Sequence, residues 1–588
     1  MGIKVGIDLG TTNSAISYIK DGKPVIIENK EGDRTTPSAM FIKLENSGAE
    51  QMIVGKQAKN AIISFPKDVA VEAKRLMGTD EKITLGSKSY RPEEIASRIL
   101  KYLIASAEER TGEKVEEAII TVPAYFNDTQ RRATQKAAEI AGLKVERLIN
   151  EPTAAAIAFA FENLDQQSNI LVYDLGGGTF DVSIVEVFEG MIEVKASSGN
   201  NHLGGKDFDT ILAEHIIDRY EMETGISLAD LEDFESMLLR IVQGAENVKI
   251  QLSQQDVANM NLPFIGMHNG APLSLNIDVS KDEFERLIRK DVESTLSLVE
   301  EAINDSGFKS NEITDIIMVG GSTRIPLVRN TVEQHFNRKV RVDINPDEVV
   351  ALGAALQMGI KSQDRELKKT TGSGLMVIDV CPYSLGTEVT RSFSDMTSYY
   401  DEIIPRNTTL PAVKRKIYTT IHDNQDSVVL NVYQSEQYTG TELPTSPGVV
   451  QINDRELELN GLPPRPAGQV EIEVTFKYNL NGLLEVSAEV LGFGIQKQLE
   501  VRPKSSMSHF ETREAAATLE RDITKTELYN RMKPIILRAN QMKKTASPED
   551  RRKIETLVEE LEDAMIGNHT STAERIEEQL TDILIDLM

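Results

Sequence analysis

The chain has 588 residues, with 65 basic against 92 acidic side chains and a formal net charge of −27. Length alone leaves room for roughly three or four domains, and the acidity argues against non-specific binding to nucleic acid. A single cysteine, Cys381, excludes an internal disulfide and stands in an apolar run, where a buried structural thiol is the expected state.

Taken in order, the first element is a strand running into Gly6-Ile7-Asp8-Leu9-Gly10-Thr11-Thr12-Asn13-Ser14. Starting directly on a strand, the chain is expected to have no secretory leader. Ile119–Pro123 reads as a strand and Gln130–Ala141 as a helix, so residues 1–368 are expected to be α/β with parallel strands. Asn169–Tyr173 reads as a buried strand, Gly176, Gly177 and Gly178 as a tight turn, and Val182–Val187 as the returning strand. The turn repeats the strand–Asp–Leu–Gly–Thr pattern seen at residues 6–14. Its glycines leave bare N–H groups for an anion, and the flanking Asp174 and Asp181 suit Mg²⁺ held through water. Two such hairpins facing each other are expected to clamp the β- and γ-phosphates of one nucleotide, which makes the chain an ATPase. The Gly-Lys-Ser/Thr phosphate loop is absent, and the glycines lead into a strand and not a helix.

At Lys368-Lys-Thr-Thr-Gly-Ser-Gly374 a flexible polar linker is expected, running into the apolar Leu375-Met376-Val377-Ile378. That apolar stretch reads either as a switch element that docks or as the first strand of the next domain. From Val380 to Pro503 the period becomes two: Val470, Ile472, Val474 and Phe476 alternate with polar residues, Asn481-Gly482 turns a hairpin, and Val428–Tyr433 reads as one strand. A compact all-β sandwich is expected there. Beyond residue 505 the chain reads as helical, a small bundle or lid. Ser547 caps one helix with the apolar face Ile554, Val558, Leu561 and Met565, ended by Gly567-Asn568. A capping box at Ser571 and Glu574 opens another with Ile576, Leu580, Ile583 and Leu587. No run approaches the ~20 apolar residues of a membrane span, and the seven histidines lack metal-ligand spacing.

The ordered motifs GIDLGTTNS (6–14), VPAYFND (122–128), INEPTAAA (149–156), DLGGGTFDVS (174–183), HLGGKDFD (202–209), VGGSTRIP (319–326) and NPDE (345–348) resemble the 70-kilodalton heat-shock chaperone family, the DnaK-type ATPases, over the whole chain. DVCPYSLGTE (379–388) also fits that pattern, and NTTLP (407–411) with NLNGLLEV (479–486) look most like its specialised HscC-type branch. The resemblance implies an actin-like two-lobed nucleotide-binding domain over 1–368, a linker over 369–380, a β-sandwich gripping extended peptide over 381–503, and a helical lid over 504–588. It places Asp8, Gly10, Thr11, Thr12 and Asn13 on one phosphate hairpin. Asp174, Gly176, Gly177, Gly178, Thr179 and Asp181 form the other. Asp8, Glu151 and Asp174 would surround hydrated Mg²⁺, with K⁺ as a further cation, and Lys74 would position the attacking water. Gly204 and Gly205 would approach the phosphates. Glu246, Lys249, Ser253, Gly320, Gly321, Ser322, Arg324 and Asp347 would contact the adenosine of ATP or ADP.

By the same resemblance Pro123 and Arg131 belong to an interdomain relay, and Leu375, Met376, Val377, Ile378 and Asp379 to the docking linker. ATP would hold the domains docked with the peptide site open, and ADP would release them. Partners would be unfolded or extended clients, a J-domain co-chaperone near Arg147 and Asn150, and an exchange factor. The protein would be a cytoplasmic monomer, without nucleic-acid or membrane partners. The chain departs from the family pattern in places. Thr387 and Thr390 stand where an isoleucine and an arch methionine are usual, and Ile421 where the facing arch has alanine. With Tyr418, Val428, Leu430 and Val432 as candidate pocket residues, a narrower peptide choice is expected. Lys206 replaces the usual glutamate, leaving its contact with nucleotide open. A metabolic kinase or a filament protein of the same superfamily would leave the region beyond residue 380 without a role.

Overall fold

The computed structural model describes residues 2–586 apart from 45–49, 87, 164–165, 342–343, 372–375, 393–394, 437, 454–456, 501–506, 521–526, 544–545 and 567–569. Two central sheets carry its first part. One runs Lys144–Asn150, Val115–Val122, Ile3–Asp8, Asn13–Lys20, Lys23–Ile27; the other runs Asp315–Val319, Ser168–Leu175, Phe180–Phe188, Met191–Asn200, Met376–Ile378. Each contains a glycine-turned antiparallel hairpin with a parallel strand added beside its first arm. The expected parallel pairing therefore holds only for part of each sheet: Lys144–Asn150, Val115–Val122 and Ile3–Asp8 in the first, and the two edge strands Asp315–Val319 and Met376–Ile378 in the second, because a tight turn can join only antiparallel neighbours.

Between the sheets lie two alanine-rich helices, Glu151–Glu162 and Val349–Lys361. Their buried faces share one core with Ile119 and Ile149 of the first sheet and Ile170, Val172 and Val185 of the second. Small residues let these layers approach closely. A Cβ on Gly353 would stand 1.8 Å from the Ala154 carbonyl oxygen, and one on Gly6 2.1 Å from the Ala355 nitrogen. The turns of both hairpins consequently open at the same end of one cleft.

The linker departs from its expected form. Lys368–Thr371 is helical, within Arg365–Thr371, where Leu367 is buried. Gly372, Gly374 and Leu375 lie outside the described residues. Met376–Ile378 is a strand, but of the second central sheet and not of the sandwich, pairing in parallel with Met191–Glu193. Asp379 is buried behind it and accepts hydrogen bonds from Asn150 Nδ2 at 3.0 Å and Thr153 Oγ1 at 3.0 Å.

The sandwich is all-β as expected. Its sheets are Asp395–Ile404, Ser384–Ser392, Val432–Ser435, Val449–Gln451 and Ala412–Thr419, Glu471–Tyr478, Leu484–Val490, Ile495–Glu500. The single strand expected over Val428–Tyr433 breaks at Asn431: Ser427–Leu430 pairs with Leu457–Asn460, and Val432–Ser435 with Ser384–Thr387. Asn431 is a poor strand former, and its side-chain amide Nδ2 donates to Glu388 Oε1 at 2.7 Å. Cys381 is buried as expected, its thiol donating to the Tyr383 carbonyl at 2.9 Å and pushed up to about 12 by burial.

The C-terminal region forms helices His509–Glu520, Glu527–Met542, Pro548–Ile566 and Thr570–Asp586, the last three around Met532, Ile536, Ile554, Leu561, Ile576 and Leu580. Ser547 Oγ accepts from the Asp550 N–H at 3.2 Å, the expected cap. The helix Thr570–Asp586 includes both Ser571 and Glu574. Leu584 fills the core, while Ile583 is only partly buried; Gly567, Asn568 and Leu587 lie outside the described residues.

The sandwich and the first of these helices rest on the half built around the two central sheets. Leu484 N–H donates to Asp128 at 3.0 Å, the Leu148 N–H to Asn481 Oδ1 at 3.2 Å, and Arg406 Nη2 pairs with Asp305 at 3.0 Å. His509–Glu520 lies on Asp128–Ile140 through Ile140, Met507 and Ala515.

Candidate functional site

The two hairpin turns face each other across a cleft of about 920 Å³. They are in contact: a Cβ on Gly177 would stand 2.0 Å from Thr12 Oγ1. The loop at Gly204 closes on the second turn, where a Cβ would stand 2.5 Å from the Gly178 nitrogen. Only residues without a side chain permit this approach, and the second turn is itself closed by the Gly176 N–H donating to the Thr179 carbonyl at 3.1 Å. Thr12 Oγ1 is itself buried without a hydrogen-bond partner.

At the base of the cleft, four carboxylates (Asp8, Glu151, Asp174 and Asp181) meet one ammonium, Lys74. Lys74 Nζ stands 2.5 Å from Glu151 Oε1, with only 8 % of its surface exposed. Thr121 donates to Asp8 at 2.8 Å, and the Tyr125 N–H donates to Asp181 at 3.1 Å. One oxygen each of Asp174 and Asp181 is buried with no partner. Burial pushes Asp8 up to about 7, with Glu151 adding and Lys74 opposing. Burial, then Glu151, pushes Asp181 up to about 7 as well, and Asp174 rises for the same two reasons with Asp181 adding.

Such a concentration of negative charge wants cations. The donors are all oxygen, the preference of a hard ion such as Mg²⁺, and the orphaned oxygens fit one. Among the described residues no three carboxylate, histidine or cysteine side chains are placed to hold an ion directly, so the fit is through the ion's own water.

The far wall of the cleft is lined by Glu246, Lys249, Ser253, Gly320, Gly321, Ser322, Arg324 and Asp347, all expected to meet adenosine. Ser322 Oγ donates to the Gly176 carbonyl at 2.8 Å, tying this wall to the phosphate turn. Lys249 pairs with Asp209 at 2.7 Å, and Arg324 with Asp347 at 2.6 Å. Gly10, Thr11, Asn13, Thr179 and Gly205 also line the cleft, whereas Gly178, Asp181 and Gly204 stand behind the lining and shape it.

Lys206 lines the cleft too. Its ammonium lies 3.2 Å from Glu246, 3.4 Å from Asp209 and 3.5 Å from Glu72, so its charge is already balanced by protein. Sequence reading missed Glu72, and also Lys59, which reaches Glu246 at 2.8 Å across the cleft. Neither has a motif around it, and a lone charge reads as surface. Thr121 and the Tyr125 N–H were missed as well; a backbone donor leaves no side-chain signature at all.

The expected relay residues converge. Arg131 is buried and donates to the Phe126 carbonyl at 2.9 Å, the Ala124 carbonyl at 3.1 Å and Asn150 Oδ1 at 2.7 Å, and Asn150 in turn holds Asp379. Pro123 opens the same buried loop. Arg147 and Asn150 are 8 % and 5 % exposed, so in this arrangement they do not offer the open surface expected for a protein partner. The linker and sandwich cover them.

The peptide-groove residues are less united. Thr387 is buried, and its hydroxyl donates to the Asn431 carbonyl at 2.7 Å, so it presents no unpaired group. Leu430 and Val432 are buried in the sandwich core, with Val428 packed against it. Tyr418 donates to Asp401 at 2.7 Å, while Thr390 and Ile421 are half-buried. Against models of known protein families, residues 4–588 match the family described as Hsp70 protein.

Proposed function

The chain belongs to the Hsp70 family, and from that premise we propose that it is an ATP-dependent chaperone that binds and releases extended polypeptide. The family's members are chaperones and in general ATPases that bind ATP or ADP with Mg²⁺. In the proposed reading, hydrolysis switches the peptide site between open and closed. The observation that carries it is the pair of glycine hairpins touching across one cleft, over four carboxylates and one ammonium.

Bound Mg²⁺ supplies neutralisation of phosphate charge and a frame of ordered water. The chain's own groups do the rest. The N–H groups of Gly10–Thr12 and Gly177–Thr179 would bind phosphate oxygens, and the Thr179 hydroxyl would orient the terminal phosphate. Lys74 places the attacking water and balances the charge that develops beyond it. Asp174, raised by burial and by the neighbouring Glu151, keeps one oxygen without a partner and is placed to accept the water's proton. Glu151, Asp8 and Asp174 would hold Mg²⁺ through its water, and the remaining negative potential would suit K⁺.

Residues 1–368 would be the nucleotide-binding unit, 369–380 the switch linker, 381–503 the peptide-binding sandwich and 504–588 the lid. The docked strand Met376–Ile378 supports the bistable element of this scheme. Thr390, Ile421 and Tyr418 remain as groove-facing residues. A J-domain co-chaperone and an exchange factor would set the cycle's rate. The J-domain partner would reach Arg147 and Asn150 as the sandwich lifts. A single buried cysteine supports a reducing, cytoplasmic setting, and the chain would work as a monomer.

The test is binding of the purified protein to a panel of unfolded-protein peptides in ADP and in ATP. Peptides held in ADP and released in ATP are expected. Identical binding in both nucleotides would refute the switch.

A further inference from the structure

Asp181 belongs to the carboxylate cluster at the base of the cleft. Among the described residues its Oδ1 accepts from the backbone N–H of Tyr125 at 3.1 Å. The carbonyl of that same residue accepts twice: from Asn201 Nδ2 at 2.8 Å, and from the hydroxyl of Tyr383 at 2.5 Å. Tyr383 belongs to the sandwich, just before its first strand Ser384–Ser392. Its ring packs against that of Tyr125, with centroids 5.0 Å apart, and both residues are buried, at 5 % and 4 % exposure. One residue, Tyr125, thus stands between a cleft carboxylate and the docked sandwich.

We propose that Tyr383 is a positioning residue that couples docking of the sandwich to the placement of Asp181 through Tyr125. The physical basis is short. A hydroxyl donating to the Tyr125 carbonyl, together with the ring contact, pins the Tyr125 backbone and so fixes the direction in which its N–H points at the carboxylate. When the sandwich lifts, the carbonyl keeps Asn201 alone, and the Tyr125 loop loses its outer anchor. Because linkage is reciprocal, whatever the cleft does to Asp181 also biases docking. The inference rests on the proposed ATP-driven switch, and it gives that switch a specific wire.

The test is Tyr383→Phe in the full chain, which keeps the ring and removes only the hydroxyl. Amide exchange is measured in saturating ATP at two places: the Tyr125 amide, resolved by ¹⁵N-tyrosine labelling, and the 376–379 amides that report docking. Losing one net hydrogen bond is expected to speed exchange at both sites together, by about fivefold. An unchanged Tyr125 amide overturns the proposal, whether or not 376–379 loosens, because Tyr383 would then be an interface contact only. The switch reading fails separately: if ATP does not slow 376–379 exchange relative to ADP in the unsubstituted chain, the docking scheme is wrong. The Tyr125 comparison, made within one nucleotide state, still reports the wire.

Discussion

Lys74→Ala isolates the one cation from the carboxylate cluster. Its ammonium stands 2.5 Å from Glu151, is almost fully buried, and is the charge that opposes the upward push on Asp8, Asp174 and Asp181. Two unit charges about 4 Å apart interact by roughly 4 kcal/mol at an effective dielectric of about 20. Removing one preorganised group aimed at developing charge typically costs about 2.7–4 kcal/mol, or ~10²–10³ in rate. Single-turnover hydrolysis of bound ATP is therefore expected to slow by about two to three orders of magnitude. Affinity for ATP should change by less than about tenfold, since the hairpin N–H groups and the adenosine wall are untouched. Turnover within threefold of the parent would refute the role given to Lys74. So would a loss of affinity as large as the loss of rate, because that would mark uniform binding and not transition-state stabilisation.

Three other outcomes follow from named contacts. Asp8 and Asp181 sit near 7 in the folded state against an ordinary 3.8, so the folded protein binds more protons than the unfolded between those values. The nucleotide-free protein should accordingly gain melting temperature as pH falls from 8 to 5, and Mg²⁺ with nucleotide should flatten that slope; a slope of opposite sign would refute the assignment. Gly353→Ala places a methyl 1.8 Å from the Ala154 carbonyl, so the two central helices must part. Overpacking of this kind costs about 1–3 kcal/mol or more, and calorimetry should show the transition of the nucleotide-binding half lowered, with unchanged melting counting against the packing. In the sandwich, Thr390→Met is expected to broaden peptide selection on an array. Thr387→Ile should instead destabilise the sandwich, because it orphans the Asn431 carbonyl, and equal broadening by both would show that the buried hydroxyl is not structural.

Composition and local pattern determined much of this protein. Two glycine turns between buried strands, repeated about 170 residues apart, announced two turns meeting at one cleft, because close backbone approach needs glycine wherever it occurs. Period-two alternation announced the sandwich, and capped amphipathic stretches announced the helices. Where a tight turn forces its partner, local sequence suffices. Three things were decided only by tertiary contact. The chain changes partner strand at Asn431, Ser427–Leu430 pairing with Leu457–Asn460 and Val432–Ser435 with Ser384–Thr387, where its neighbours alone would continue one strand. Met376–Ile378 joins the second central sheet because the edge at Met191–Glu193 is open to it, which no property of those three residues reveals. And Lys59, Glu72, Lys206, Thr121 and the Tyr125 N–H enter the site from segments remote in sequence. Charges and backbone donors carry no periodicity, so their roles exist only once folding has brought their partners to within about 3.5 Å.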